Sequence, residues 1–302
     1  MPQGVKVTGN KAILKVCGLG EVLWDAFPDG EKFGGAPANF TCHCYSLGAQ
    51  AYVVSCIGRD QRGVKAREFL DNHGVDTSCL SESAEHETGV VIVALDDAGK
   101  PEYEIKEGVA WDNIPWTEEI RTLAPQLDAV CFGSLSQRDD VSRDTIRKFL
   151  AATRPDCLRV FDINIRQDFY NDEIIRSSLE SANVLKLNDE ELPIVAELIG
   201  AEGPDEETVT AIIREFDLKL VALTCGPQGA LMVTPEESSS AAPPVTDVIS
   251  TVGAGDSFTA AMIMGFLKNK PLDQINKEAN RLAAFVCTQH GAVPELPASL
   301  TA

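Results

Sequence analysis

The sequence predicts an α/β fold: a mainly parallel sheet covered by helices on both faces, with a small second β-sheet laid over the strand ends. Three observations carry this expectation. Apolar runs of strand length alternate with amphipathic runs of helix length along most of the 302 residues. That alternation is the mark of strands joined by crossover helices and buried on both faces. Two regions, Val22 to Lys32 and Thr88 to Ile105, break the rhythm with strand signals and no helix between them. A glycine-rich joint, Gly253-Ala254-Gly255-Asp256, connects an apolar run to a helical one.

The elements follow in order. Ile13 to Leu19 reads as a strand, and Pro37 to Leu47 as a helix with its proline at the start, where helices accept one. Ala51 to Ile57 is a strand and Asp60 to Asn72 a helix. Val90 to Leu95, the turn Asp96-Asp97-Ala98-Gly99 and Tyr103 to Ile105 read as a hairpin. With Val22 to Lys32 it supplies the small sheet, a lid where open α/β sheets bind ligands. Ala129 to Phe132 is a strand, followed by the helix Val141 to Ala152. Leu158 to Ile163 and Val184 to Leu187 are strands, and Asp189 to Leu198 and Glu206 to Glu215 are helices. Leu218 to Thr224 and Ala230 to Val233 are strands, and Thr234 to Pro244 is a polar connection. Val245 to Ile249 looks like a last strand before the helices Gly255 to Leu267 and Leu272 to Thr288.

Composition limits the function classes. The net charge of −20 repels nucleic acid and anionic membranes, so neither is an expected partner. An anionic substrate then needs a local positive site built from basic residues and backbone N–H groups. No apolar run approaches the roughly 18–20 residues of a membrane span. Met1 to Asn10 lacks the apolar core of a signal peptide, so a cytoplasmic location is expected. Nine cysteines scattered through apolar runs read as reduced and buried. Cys42-His43-Cys44 is a poor metal site, because i and i+2 on a helix face apart and no CxxC pair completes it.

Five segments carry chemistry. At the glycine-rich joint, two glycines permit a tight turn and leave N–H groups unpaired at a helix N-terminus, which attracts an anion. Asp256 sits inside that anion trap. A carboxylate there fits removal of a hydroxyl proton beside a transferring phosphoryl group, although a helix-capping aspartate has the same local pattern. Gly34-Gly35-Ala36-Pro37-Ala38-Asn39 lets a ligand approach the backbone, and Asn39 offers a donor and an acceptor to a sugar hydroxyl. In Asp162-Ile163-Asn164-Ile165-Arg166, strand alternation puts the three polar residues on one face, with a cation for the phosphoryl group or acceptor. An ordinary ion pair is the plainer reading. Asn188-Asp189-Glu190-Glu191 has the spacing of a capping box, and also of groups holding a hydrated Mg²⁺. The glycines of Thr224-Cys225-Gly226-Pro227-Gln228-Gly229 would let a nucleotide lie across the backbone. Gly18 and Gly20 begin a dinucleotide fingerprint that Leu23 leaves incomplete, and no P-loop occurs.

Together these segments resemble the ribokinase-like (PfkB) family of carbohydrate kinases. The likeness runs nearly end to end: Gly-Glu-Val-Leu-Trp-Asp at 20–25, Gly-Gly-Ala-Pro-Ala-Asn at 34–39, Asp-Ile-Asn-Ile-Arg at 162–166 and Asn-Asp-Glu-Glu at 188–191. It continues with Thr-Cys-Gly-Pro-Gln-Gly at 224–229, Thr-Val-Gly-Ala-Gly-Asp-Ser-Phe at 251–258 and Gly-Ala-Val-Pro at 291–294. The first two look most like the bacterial fructokinase-type branch. The resemblance implies a three-layer α/β sandwich forming one kinase domain over 1–302, with lid strands from about 22–35 and 88–108. It implies ATP-dependent phosphorylation of a sugar's primary hydroxyl, fructose first, with 2-keto-3-deoxygluconate, ribose or a nucleoside as alternatives. A catalytically inactive sugar-binding regulator is the reading from another class, and a nicotinamide-dependent dehydrogenase a weaker one.

The same resemblance assigns roles. Asp256 would be the base, with Gly253, Ala254, Gly255 and Asp256 as the anion hole and Arg166 on the acceptor or γ-phosphate. Asp25, Gly35, Asn39, Tyr103 and Ile105 would hold the sugar, with Lys106 at its margin. Asn188, Thr224, Gly226, Gly229 and Asn280 would line the nucleotide, and Glu191 with Asn188 would organise Mg²⁺ through water. Many members carry Asp where this chain has Ser250, which weakens the expectation of an activating monovalent cation. A homodimer through the lid is a family habit.

Overall fold

The computed structural model describes residues 13–28, 30–95 and 101–301. The expectations for Met1 to Asn10 and for the turn Asp96 to Gly99 fall outside them. In chain order the elements begin β1 (Lys15–Leu19), β2 (Leu23–Phe27), β3 (Gly30–Gly34), α1 (Ala36–Ser46), β4 (Gln50–Gly58), α2 (Gln61–Asn72), β5 (Leu80–Ser83), β6 (Gly89–Leu95) and β7 (Pro101–Ile105). There follow α3 (Glu118–Leu123), β8 (Ala129–Phe132), α4 (Asp140–Ala152), β9 (Leu158–Asp162), α5 (Asp172–Ser181), β10 (Val184–Asn188), α6 (Leu192–Ile199), α7 (Asp205–Phe216) and β11 (Leu220–Thr224). The chain closes with β12 (Ala230–Val233), β13 (Ser238–Ala241), α8 (Ala254–Leu267), α9 (Leu272–Cys287) and α10 (Ala298–Thr301).

A nine-stranded sheet has the order β13-β12-β11-β10-β9-β8-β1-β4-β5. It is parallel except for the edge pairs β11–β12 and β12–β13. Each central strand is apolar on both faces because successive residues point to opposite sides. Cys17, Leu19, Val130, Phe132, Leu185, Leu187, Val221 and Leu223 meet Ile146 and Phe149 of α4, Leu179 of α5 and Ile212 of α7 on one side. Val16, Cys131, Val160, Val184, Leu220 and Ala222 meet Phe40 of α1, Phe258 and Met262 of α8 and Leu282 of α9 on the other. These are the three layers that the alternating pattern implied. Among the described residues no helix is long and apolar enough to cross a membrane.

The small sheet has the order β3-β2-β6-β7. Its β2–β6 pair is parallel, and the other two pairs are antiparallel. Trp24 and Phe33 pack on Ala38, Cys42, Val53 and Leu70. Leu23, Val91, Val93 and Ile105 pack on Val109, Trp111 and Leu135.

Four sequence expectations need correction. Val245 to Ile249 is not a strand: it is irregular, and Val245, Val248 and Ile249 are exposed. The N–H groups of Ile249 and Ser250 bond Cys287 O at the end of α9 rather than a strand. The polar connection 234–244 contains β13, an edge strand of Ser-Ser-Ser-Ala held by the β12 ladder and by Asn276 of α9, whose Nδ2 donates to Ser239 O at 2.8 Å. The helix placed from Asp189 starts at Leu192, because residues 189–191 form the turn of a capping box. The shared face of Asp162, Asn164 and Arg166 does not exist. β9 ends at Asp162, and left-handed backbone at Asn164 (φ 48) breaks the alternation before Arg166.

All nine cysteines are free thiols. His43 is buried, its Nε2 lies 2.9 Å from Ala292 O, and burial lowers its pKa to about 4. Gly18 in β1 is where α1 crosses the sheet; a Cβ there would lie 2.0 Å from Pro37 O and 2.2 Å from Thr41 Oγ1. No space remains at Gly18 for a dinucleotide. Gly18→Ala is therefore expected to destabilise the protein by about 1–3 kcal/mol or more, the range for overpacking. Urea denaturation checks this; an unchanged midpoint would contradict the packing.

Candidate active site

The carboxyl ends of β1, β9, β10 and β11 open toward one region, together with the first turn of α8, which is the place an α/β sheet presents to ligands. Gly253 caps α8 in a left-handed conformation (φ 79), and a Cβ there would meet Ala292 O at 2.5 Å. The Ala254 N–H, expected in the anion hole, instead bonds Thr251 O at 3.2 Å within the turn and is not free for an anion. The N–H groups of Gly255 and Asp256 lie in the first turn of α8, where no preceding helical carbonyl is available. They and the helix dipole form a seat for an anion.

Asp256 is partly buried in that turn, and its Oδ2 accepts from Asn39 Nδ2 at 2.8 Å. The two residues are far apart in sequence, and α1 and α8 bring them together on one face of the large sheet. Burial raises Asp256 to about 6; the Asn39 hydrogen bond lowers it, Asp162 raises it, and Lys186 and Arg166 lower it. Burial likewise raises Asp25 to about 6, against the charges of Arg166 and Lys32. Arg166 is exposed, and its Nη1 donates to Ile165 O at 3.0 Å. Its charge acts on Asp25, Glu21 and Asp256.

Gly35 (φ 110) lies against the chain at Glu21, where a Cβ would meet Glu21 O at 2.4 Å. Asp25 is paired with Val91, and Val91 with Ile105, so the three share one face of the lid. Tyr103, paired with Val93, lies on the same face and is 53% exposed. Its carbonyl accepts from Gln167 Nε2 at 2.5 Å, which ties the loop after β9 to the lid. Lys106 is ion-paired with Glu104.

On the other side, Asn188 ends β10 beside Thr224 at the end of β11. Asn188 Oδ1 accepts from the N–H groups of Glu190 and Glu191, and Glu191 Oε2 accepts from Asn188 N at 2.8 Å. Glu191 Oε1 takes the Ile165 N–H at 2.9 Å. With these oxygens already accepting backbone hydrogens, the pair fits a hydrated metal held through water rather than a directly bound one. Among the described residues no cluster of three metal-ligating side chains occurs. Gly226 (φ 51) and Gly229 (φ 95) shape the tight turn between β11 and β12, and Gly229 packs against Ala241 O. Asn280 is buried on α9, and its Nδ2 donates to Asn276 O and Oδ1.

Sequence reasoning assigned no role to three residues at this site. Lys186 Nζ lies 3.0 Å from Asp162 Oδ1, both buried, and Thr259 of α8 donates to Asp162 Oδ2 at 3.0 Å. Burial opposes the Lys186 charge, and Asp162, Glu191 and Asp256 more than restore it, so its pKa is raised. A Cβ on Gly255 would lie 3.3 Å from Lys186 Nζ, so a buried cation underlies the anion seat. The third residue is Glu21, buried at the base of the lid. The available signal was a lone charge inside an apolar run, Lys186 in Val-Leu-Lys-Leu and Glu21 beside Val22-Leu23.

Removing Lys186 leaves Asp162 charged and unpaired. Lys186→Met is expected to cost about 3–5 kcal/mol, as for one partner lost from a buried pair. Adding Asp162→Leu should recover much of it. Urea denaturation of the single and double variants checks both, and a neutral single variant would refute the pairing.

The chain has known relatives. The model of the pfkB family of carbohydrate kinases matches residues 20–299. An uncharacterized sugar kinase of Pyrococcus horikoshii is 29% identical over 267 residues, covering 86% of this chain and 82% of that protein. Its crystal structure superposes with a TM-score of 0.79 at 26% identity, covering 93% of this chain and 94% of that one. A fructokinase of Salmonella typhimurium is 29% identical over 302 residues, covering 94% of this chain and 96% of that protein. An ATP-bound fructokinase of Xylella fastidiosa shares the fold, with a TM-score of 0.82 at 20% identity over 94% of this chain and 95% of its own. A family match over nearly the whole chain leads to one conclusion: the chain belongs to the pfkB family of carbohydrate kinases.

Proposed function

We propose that this kinase transfers the γ-phosphoryl group of ATP to a primary hydroxyl of a neutral monosaccharide, with fructose as the first acceptor. The reading treats residues 1–302 as one cytoplasmic kinase domain. The observation that carries it is the Asp256 carboxylate, held by Asn39 in the turn whose N–H groups form an anion seat. Asp256 removes the hydroxyl proton as the oxygen attacks, and the N–H groups of Gly253, Gly255 and Asp256 hold the transferring phosphoryl oxygens. Arg166 and the buried Lys186 offset the gathering negative charge. Asp25, Gly35 and Asn39 orient the sugar, with Tyr103 and Ile105 closing over it. Asn188, Thr224, Gly226 and Gly229 line the nucleotide, Asn280 lies toward its base, and Glu191 with Asn188 steadies hydrated Mg²⁺. Magnesium neutralises charge on the phosphates when bound.

The fructokinase relatives support fructose. An ADP-release assay with Mg-ATP against fructose, ribose, 2-keto-3-deoxygluconate, tagatose, glucose and adenosine tests the reading. Fructose is expected to give the highest kcat/KM, and silence across the panel with ATP binding intact would refute it.

Asp256→Asn is expected to lower kcat by on the order of 10²-fold or more while sugar and ATP still bind, since general-base terms run about 10²–10⁴. The base must be ionised, and its pKa is raised to about 6, so kcat/KM should fall as pH drops below that value. A pH series on both proteins measures this, and near-normal turnover in the variant would sink the role. Ser250 Oγ accepts from Val252 N at 3.3 Å within a turn and carries no charge for a cation. Activation by K⁺ is therefore expected to be weak or absent. A several-fold rate rise on replacing choline with K⁺ at constant ionic strength would overturn that.

A further inference from the structure

Two buried acceptors at the start of α1 lack a donor. Glu21 lies between β1 and lid strand β2 and is 2% exposed. Its Oε1 accepts from the N–H of Ala36, at 3.3 Å, just after lid strand β3. The carboxyl thus spans the chain's entry to the lid and its exit. Glu21 Oε2 is buried and has no partner. Asn39, one turn further along α1 and 3% exposed, turns Nδ2 to Asp256, and its Oδ1 is also buried without a partner. Two empty acceptors, buried at one helix end, are costly. A proton on the carboxyl, shared with the amide oxygen, would satisfy both.

We propose that Glu21 is a positioning residue: it carries a proton on Oε2, donates it in a hydrogen bond to Asn39 Oδ1, and so holds Nδ2 of that amide against Asp256. The proposal rests on reading Asp256 as the base. The result is a carboxyl–amide–carboxylate chain in which the outer member is neutral and the inner one charged. The groups that face Glu21 are Asp256 from α8, Arg166 from the loop after β9 and the Ala36 N–H from α1. Burial raises Glu21 to about 7; its own backbone N–H lowers it, Asp256 raises it, and the Ala36 N–H and Arg166 lower it. Above that pH Glu21 loses its proton, and the amide loses the hydrogen bond that orients it. The productive form therefore spans the interval between the two coupled carboxyls, with an acid limb from Asp256 and an alkaline limb from Glu21.

The test compares Glu21→Ala with Glu21→Gln, whose amide donates without titrating. Glu21→Ala should lower kcat/KM roughly tenfold or more, as for loss of a hydrogen bond to a charged network. Glu21→Gln should restore most of that and lose the alkaline limb. In the unmutated protein, infrared pH-difference spectra should show a protonated-carboxyl carbonyl band that titrates near neutrality and vanishes in Glu21→Gln. A folded Glu21→Gln as impaired as Glu21→Ala would overturn the proposal, and so would an alkaline limb it retains. If the variants do not fold, absence of the titrating band in the unmutated protein overturns it. Failure of the Asp256 role appears separately, as an acid limb that persists in Asp256→Asn.

Discussion

The buried ion pair of Lys186 with Asp162 is the contact on which the arrangement of this site depends. The two residues are direct partners in the parallel β9–β10 ladder, so they stand side by side on one face of the sheet. That face is the one α8 covers, and Thr259 of α8 completes the cluster by donating to the second Asp162 oxygen. Two strands and one helix are thereby held together directly beneath the turn that carries Asp256. Apolar residues alone would hold α8 to the sheet, as Phe258 and Met262 do, but they would not fix which part of its first turn lies over the strand ends. A charge pair with a third hydrogen bond has a single satisfying geometry.

The same pair sets the electrostatics above it. Three carboxyls, Glu21, Asp25 and Asp256, converge where burial pushes all of them toward the neutral form. Arg166 acts on all three, and Lys186 acts on Asp256 from below. Gathering acids around one exposed arginine is poor design for stability, since each buried charge loses hydration. It suits a site where a proton must leave a hydroxyl next to an incoming polyanion, because a base near neutrality can both take and release that proton. The lid completes this environment. Its first two strands lie between Glu21 and Ala36, and the Gln167–Tyr103 hydrogen bond ties β7 to the Arg166 loop, so the lid and the charged residues share their supports.

Much of this was legible in the chain. The layers followed from apolar runs, because a strand buried on both faces cannot afford polar positions and a crossover helix shows its own period. The glycine joint at 253–256, the capping box at 188–191 and Gly35 were legible because local backbone geometry demands particular residue types there. Less legible were elements whose identity is set by neighbours. β13 is serine-rich and forms only because the β12 edge offers a ladder. Val245 to Ile249 has strand chemistry but is irregular, and its end bonds the end of α9 instead.

By itself, the sequence determined the α/β class, the lid strands, the anion-seat turn and the pfkB likeness, because each is written in local spacing and residue type. The tertiary structure decided which charges meet. It paired Asp162 with Lys186 rather than aligning it with Arg166, since the strand ends at Asp162 and left-handed Asn164 breaks its alternation. It brought Asn39 to Asp256 across 217 positions and buried Glu21 beside them. Burial and long-range proximity set hydration and field, and these are properties of the packed chain that no local window contains.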